Sequence, residues 1–256
     1  MTKFAFNDDG RVILRITGED ARDLLQDLVT NNLDRLEGGK LIYSALLTPQ
    51  GKYLFDFFMT LDSDAMLLEV AKDRAPALAQ RLMMYRLRKK MEIEATDLTV
   101  SVHWGTGDAP DGAMADPRNE ALGWRLYGAP VEATADRAAY DALRVQAMAP
   151  ESGVELIPDD SYILEMGFER LNGVDFKKGC YVGQEVTARM KHKTELRKGL
   201  AIVDIEGEAS PGDEISADGK AAGRLHTISG GKALAYLRFD RAEGEMTAGA
   251  AKIQRA

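Results

Sequence analysis

A chain of 256 residues, 45% of them hydrophobic, is long enough for one large domain or two smaller ones with a proper core. Its net charge of −8 argues against direct nucleic-acid binding, and a single cysteine excludes any disulfide within the chain. No apolar run approaches the roughly 20 residues that span a bilayer, so no membrane partner is expected; Met1 to Gly10 lacks a cationic and apolar leader, so a cytoplasmic protein is expected.

In chain order, Arg11 to Ile16 alternates apolar and polar residues like a half-buried strand. Thr17 and Asp20 then offer an N-cap and an acidic first turn to a helix whose Leu24, Leu25, Leu28 and Val29 share one face and which Asn31 and Asn32 end. Tyr53 to Leu61 and Met66 to Val70 read as strands joined through Asp62, Ser63 and Asp64. Asp73 caps a further helix, with Pro76 near its start and Leu78, Leu82, Met83 and Leu87 along it; Arg81, Arg86, Arg88, Lys89 and Lys90 make its end basic. Met91 to Val102 predicts one strand, Gly105 to Gly112 a loop and Asp136 to Ala147 a helix. From Leu200 the texture changes. Glycines punctuate short apolar runs at Leu200 to Ile205, Arg224 to Ile228 and Ala233 to Phe239, which predicts a small antiparallel barrel.

The segment Asp175 to Leu200 holds the chain's one cysteine, Cys180, between Gly179 and Gly183. Lys177, Lys178, Arg189, Lys191, Lys193, Arg197 and Lys198 outnumber Asp175, Glu185 and Glu195 there, and cationic neighbours favour thiolate over thiol. The two glycines offer positive φ or a close approach of a ligand to the backbone. Tyr181 lies between them, and Gln184 and Glu185 supply an amide and a carboxylate to fix an orientation. The plainer alternative is a tight turn into a helix with Cys180 as a small buried hydrophobe.

Asp56 is the second candidate. In Y-L-F-D-F-F-M-T-L a period of two puts Leu54, Asp56, Phe58 and Thr60 on one face and Tyr53, Phe55, Phe57, Met59 and Leu61 on the other. A carboxylate among apolar neighbours is partly desolvated and suits an amino-heterocycle; an aspartate turned to solvent is the equal alternative. Arg86, Arg88, Lys89, Lys90, Arg144, Lys178 and Arg189 are candidate cations for an anionic tail, and Tyr53 and Tyr181 are candidate flat surfaces for a ring. Metal binding by this chain alone is poorly supported, because His103, His192 and His226 are far apart and one thiol cannot hold a cluster. A cluster shared through Cys180 with a cysteine-rich partner stays open, as does a transient mixed disulfide. Gly105-x-Gly107 breaks the dinucleotide fingerprint, and G-C-Y-V-G-Q-E lacks the closing Lys-Ser/Thr of a P-loop. In a helix, the twelve residues from Cys180 to His192 span roughly 18 Å, too far for a catalytic dyad.

Lys178-Gly179-Cys180-Tyr181-x-Gly183-Gln184-Glu185 resembles the K-G-C-[FY]-x-G-Q-E signature of the YgfZ family, folate-binding proteins related to the aminomethyltransferase (T-protein) of the glycine cleavage system and including mitochondrial iron–sulfur assembly factors. Leu14 to Asn32 and Leu143 to Leu156 are similar to the family's N-terminal and middle patterns, so the resemblance covers nearly the whole chain. It implies an α+β protein: an aminomethyltransferase-type folate-binding domain over residues 1–197, then a small antiparallel β-barrel over 198–256. It implies a tetrahydrofolate-binding accessory factor for assembly or repair of iron–sulfur clusters, with downstream effects on tRNA modification and an iron–sulfur carrier protein as partner. In that reading Cys180 is the reactive or ligating thiol, Lys178 keeps it ionised, and Gly179 and Gly183 admit the ligand. Gln184, Glu185 and Arg189 orient the loop, while Asp56 and Arg144 line the folate side. The family's transferases carry an acid where this chain has Phe55, which sets the alternative, a folate-dependent aminomethyltransferase or methyltransferase, second. A purely structural interaction module is the third reading.

Overall fold

The strand Tyr53–Asp62 is buried at eight consecutive positions because both of its faces are covered. In the computed structural model, which describes residues 3–192 and 195–256, it lies within a five-stranded antiparallel sheet. The order is Ile42–Leu47, Tyr53–Asp62, Ala65–Ala71, Arg11–Thr17, Glu92–Ala95. One face packs on helices α1 (Ala21–Gln26) and α2 (Ala75–Arg86) through Leu24, Leu25, Leu78 and Leu82. The other contributes Tyr43, Tyr53 and Phe58 to a central cluster that also takes in Phe6 and Trp104 of a second sheet and Tyr140 of helix α3 (Arg137–Gln146). That second sheet is four-stranded, in the order Lys3–Asn7, Thr99–Gly105, Trp124–Gly128, Met114–Ala115.

The C-terminal strands close into a six-stranded antiparallel barrel, in the order Lys198–Glu206, Lys232–Arg238, Lys220–Ser229, Glu214–Ala217, Met246–Ala248, Ala251–Arg255. Its interior is filled by small and branched side chains such as Ala201, Val203, Ile215, Leu225 and Leu237. The barrel is tied to the rest by buried polar contacts as well as by packing. Arg144 of α3 donates to the Thr227 hydroxyl at 3.1 Å, and Glu155 accepts from that hydroxyl at 2.6 Å and from Arg144 at 3.3 Å.

The expected strands at Arg11, Tyr53 and Met66 form, the helix at Asp136 forms with that side chain capping the Ala139 N–H at 2.9 Å, and the α+β class with its barrel is as expected. Three local expectations are corrected. The run Met91 to Val102 makes two strands in different sheets, because Thr96 donates its backbone N–H and its hydroxyl to the Ile13 carbonyl and turns the chain. Helix α1 ends at Gln26 rather than near Asn31, since Thr30 and Asn31 are drawn to the Gly173 and Asn172 carbonyls, each at 2.7 Å. Helix α2 starts from a short turn over Lys72–Arg74 with no side-chain cap from Asp73, and it leaves Met83 and Leu87 exposed.

A buried ionic cluster joins the two sheets. Glu69, wholly inaccessible, accepts from Arg11 at 2.7 Å, Arg125 at 2.6 Å and the Tyr127 hydroxyl at 2.9 Å. Burial pushes the Glu69 carboxyl upward, but Arg125 and Arg11 outweigh it and hold the group below its ordinary range. A depressed folded-state value means that the stabilisation is complete above the unfolded value and is lost as pH falls through the folded one. Glu69→Gln is expected to cost about 3–5 kcal/mol at pH 7 by leaving Arg11 without its carboxylate and Arg125 with Asp116 alone. Urea denaturation checks this: the gap from wild type is full at pH 7 and narrows below the ordinary carboxylate range.

Candidate functional site

The cysteine loop is fixed from several sides. Asp175 accepts from the Lys177 backbone N–H at 2.7 Å and pairs with Arg35 at 2.9 Å. Lys178 then turns its side chain into the protein, where its ammonium donates to the carbonyls of Gln26 and Val29, both at 2.6 Å, and of Asn31 at 3.0 Å. An ammonium has three protons, so three converging carbonyls satisfy it completely. Burial pulls its pKa down to about 8 against the opposing charges of Asp27, Asp175 and Asp34, which leaves it charged at pH 7. Tyr181 is buried beneath the loop, its ring centroid 5.5 Å from that ammonium.

Gly183 carries φ +83°, and a Cβ there would meet the Thr48 carbonyl oxygen at 2.6 Å. Its partner in the close approach is Gly51, in the turn between the first two strands of the five-stranded sheet. Immediately after it begins helix α4 (Gln184–His192), whose Thr187 hydroxyl donates back to the Gly183 carbonyl at 3.2 Å. Between these anchors Cys180 is exposed.

Several assignments change on this geometry. The Lys178 ammonium is committed to carbonyls and not to the thiol, so its part is to clamp the loop. Gly183 admits its own chain, not a ligand, and a Cβ on Gly179 would meet nothing within 4 Å. Tyr181 is covered and presents no open ring face. Among the described residues the side chains of Gln184, Glu185 and Arg189 make no hydrogen bond or ion pair, so the loop is held by other groups. Lys191 pairs with Glu169, His192 ends α4 away from the thiol, and Lys193 lies outside the described residues.

Asp56 is buried with its carboxylate bridged by two phenols, Tyr53 donating at 2.7 Å and Tyr43 at 3.0 Å. Burial, reinforced by the Asp56 charge, raises the pKa of both tyrosines well above the usual range. Strict alternation would put Tyr53 on the opposite face, but the pairing slips between Leu46 and Leu47, and the extra residue, Leu54, brings Tyr53 round to Asp56. Arg11, Phe58, Arg118, Arg125 and Arg144 share a cavity with Asp56 that measures about 10 Å³, room for about one water. Three guanidinium groups crowd the Phe58 ring, with Arg125 at 4.2 Å, Arg118 at 4.7 Å and Arg11 at 5.7 Å from its centroid. Arg118 is itself held by Asp116 at 2.7 Å and reaches the Tyr140 hydroxyl at 3.0 Å.

Arg144 is likewise occupied, by Asp141, Glu151, Glu155, the Ala149 carbonyl and Thr227. A folate therefore does not fit between these side chains: the donors suit one, but they are closed on each other. The structure brings Asp56, Tyr53 and Arg144 together and leaves residues 178–189 elsewhere. Sequence reading missed Glu69, Asp116 and the arginines around Phe58. The available signal was Glu69 itself, a carboxylate inside the apolar run A-M-L-L-E-V-A.

Comparison with known proteins supplies the family. The sequence profile of the family described as CAF17, C-terminal beta-barrel domain, matches residues 197–255. The mitochondrial iron–sulfur cluster assembly factor IBA57 of Mus musculus is 32% identical, over 94% of this chain and 79% of that protein. This chain belongs to the IBA57 family. The Homo sapiens IBA57 is 29% identical over the same shares, and the Neurospora crassa IBA57 homologue is 29% identical over 82% of this chain and 55% of its own length. The IBA57-type chain thus spans little more than half of that fungal relative. Its fold is that of the glycine cleavage aminomethyltransferase T from Bartonella henselae, with a TM-score of 0.76 over 99% of this chain and 84% of that one at 15% identity. The expected cytoplasmic location is corrected by these relatives, since the IBA57 proteins named here are mitochondrial.

The clamp gives a measurable expectation. Lys178→Met removes the cation from three buried carbonyls and is expected to cost about 3 kcal/mol. Hydrogen exchange should show amides of residues 178–183 losing protection before the sheets do, with urea denaturation giving the magnitude.

Proposed function

We propose that this chain is an accessory factor in iron–sulfur cluster assembly in which Cys180 provides one thiolate ligand to a cluster shared with a carrier protein. The observation that carries this reading is an exposed thiol on a backbone held rigid by the Lys178 clamp and the Gly183–Gly51 contact. One thiol is one ligand, so the remaining ligands come from the partner, and the cluster is cargo rather than a resident group. The affiliation with the YgfZ proteins that the Lys178–Glu185 octet suggests, and an indirect effect on tRNA-modifying iron–sulfur enzymes, belong to the same proposal.

A cluster ligand has to meet its partner without the chain rearranging around it. The anchors on either side of Cys180 favour that, because little loop entropy is left to lose on association. No step is routed through folate, since the cavity at Asp56 holds about one water. The transferase alternative needs an open folate pocket, and here the pocket-lining arginines and carboxylates are already paired.

Two experiments test this reading. In cells lacking their own factor, wild type is expected to restore the activity of an iron–sulfur enzyme and Cys180→Ser to fail, although the exposed substitution should alter stability by no more than about 0.5 kcal/mol. Restoration by the serine variant removes the thiol from the function. Titration calorimetry with tetrahydrofolate is expected to give no saturable heat, and Asp56→Asn to lower stability instead of affinity. Tight binding that Asp56→Asn abolishes would return the transferase reading to first place.

A further inference from the structure

The end of helix α2 carries an apolar and basic surface that neither the fold nor the cysteine loop uses. Met83, Met84 and Leu87 are 39%, 65% and 86% exposed, within five residues of each other. Leu87 also has φ +48°, a conformation that a branched side chain rarely adopts. The turn is nonetheless pinned. Arg86 donates to the Met91 carbonyl at 3.0 Å, the Lys89 N–H to the Arg86 carbonyl at 2.7 Å, and the Lys90 N–H to Asp20 at 2.7 Å. Leu87 is therefore held out in water by a fixed backbone. Clustered exposed apolar groups of this kind mark interaction sites, and methionine is the side chain that adapts best to a partner.

This surface adjoins the cysteine loop across the end of α1. Asp27, one residue past that helix, lies 4.0 Å from the Lys89 ammonium, and its neighbour Gln26 accepts from the Lys178 ammonium at 2.6 Å. The charge around the two is one-sided. Glu19 and Asp27 are matched by Lys90 and Lys89, whereas Arg81, Arg86 and Arg88 beside the methionines and Lys177 and Arg189 beside Cys180 make no ion pair among the described residues. Asp20, Asp23, Asp34 and Glu185 are the acids without an ion pair among them. Free cations outnumber free acids here on a chain whose net charge is −8.

We propose that the Met83–Lys89 turn and the Cys180 loop form one docking face for an acidic partner protein, the one that shares the cluster with Cys180. Its matching surface is a small apolar hollow ringed by carboxylates, which seats Met84 and Leu87 and pairs with Arg81 and Arg88. The inference rests on the reading of Cys180 as a cluster ligand. The adjoining thiol is also what favours a protein over an anionic membrane as the occupant, because a shared cluster needs ligands from the other side.

The test is photo-crosslinking in cells with the full-length chain, a photoreactive residue replacing Leu87 in one variant and Glu185 in another. The expected result is the same acidic, cysteine-bearing protein attached at both positions. Arg81→Glu with Arg88→Glu should lower its yield at position 185 by roughly ten-fold, and Arg81→Lys with Arg88→Lys should retain it. Circular dichroism verifies that the variants fold. Attachment at position 185 but not at 87, unchanged yield after charge reversal, or lipid adducts at 87 would each overturn the docking face while leaving the thiol's role intact. A failure of the thiol's role shows separately, as cluster-enzyme activity restored by Cys180→Ser, and no protein at either position overturns both.

Discussion

A buried ammonium is tolerable only where its protons find acceptors, and Lys178 finds three at the frayed end of α1. The carbonyls of Gln26, Val29 and Asn31 are free because the helix stops at Gln26 and the chain leaves it irregularly. What stops it is Asn31, whose side chain donates to the Tyr43 and Asn172 carbonyls, both at 2.7 Å. One short helix therefore gives up its last turn to a neighbouring strand, and the vacated carbonyls receive a lysine nearly 150 positions later in sequence. The exposed position of Cys180 follows from that exchange. With the lysine turned inward and Tyr181 buried, the residue between Gly179 and Tyr181 faces out.

The centre of the molecule obeys the opposite logic. In the Asp56 region guanidinium groups, carboxylates and phenols are matched to each other inside the protein, where an unmatched charge would cost several kcal/mol. Glu69 takes two arginines and a tyrosine, Asp116 takes Arg118 and Arg125, and Asp56 takes two tyrosines. The same residue types that would recognise a charged heterocycle hold the two sheets and α3 together when no space is left between them. The fold shared with an aminomethyltransferase thus carries at its centre a polar cluster whose groups are closed on each other.

The legible parts of the sequence were those set by local pattern. Alternation at Arg11 to Ile16 and glycine-punctuated runs after Leu200 need only nearest neighbours to be read, and both elements form. The Cys180 octet marked a loop whose thiol the structure leaves exposed, because unusual residue types at fixed spacing survive any uncertainty about packing. Roles inside the loop were not legible. Lys178 looked like a cationic neighbour of a thiol, and whether a lysine turns toward the next residues or into a hole made by residues 26–31 depends on a contact between distant segments. Tyr53 failed for a related reason: a single bulge at Leu54 shifts the side-chain phase, and nothing in Y-L-F-D announces it. Arg144 read as a cation on the folate side, yet its partners include Thr227 of the barrel and Glu151 and Glu155 of the following turn, which no local pattern connects.

Rigidity and exposure are distributed over this molecule in a way that suits transfer between proteins. In the proposed role as a cluster ligand the thiol gains from a fixed backbone, since every degree of freedom frozen on docking subtracts from affinity. The pinned turn at Leu87 has the same property: it holds an apolar side chain in water at a cost to the free protein that only a partner can recover. Both features adjoin α1, the element whose early end frees the carbonyls for Lys178. A single structural decision, the termination of a six-residue helix, therefore sets the loop that carries the sulfur, and the residue just past that helix, Asp27, meets Lys89 of the turn at Leu87.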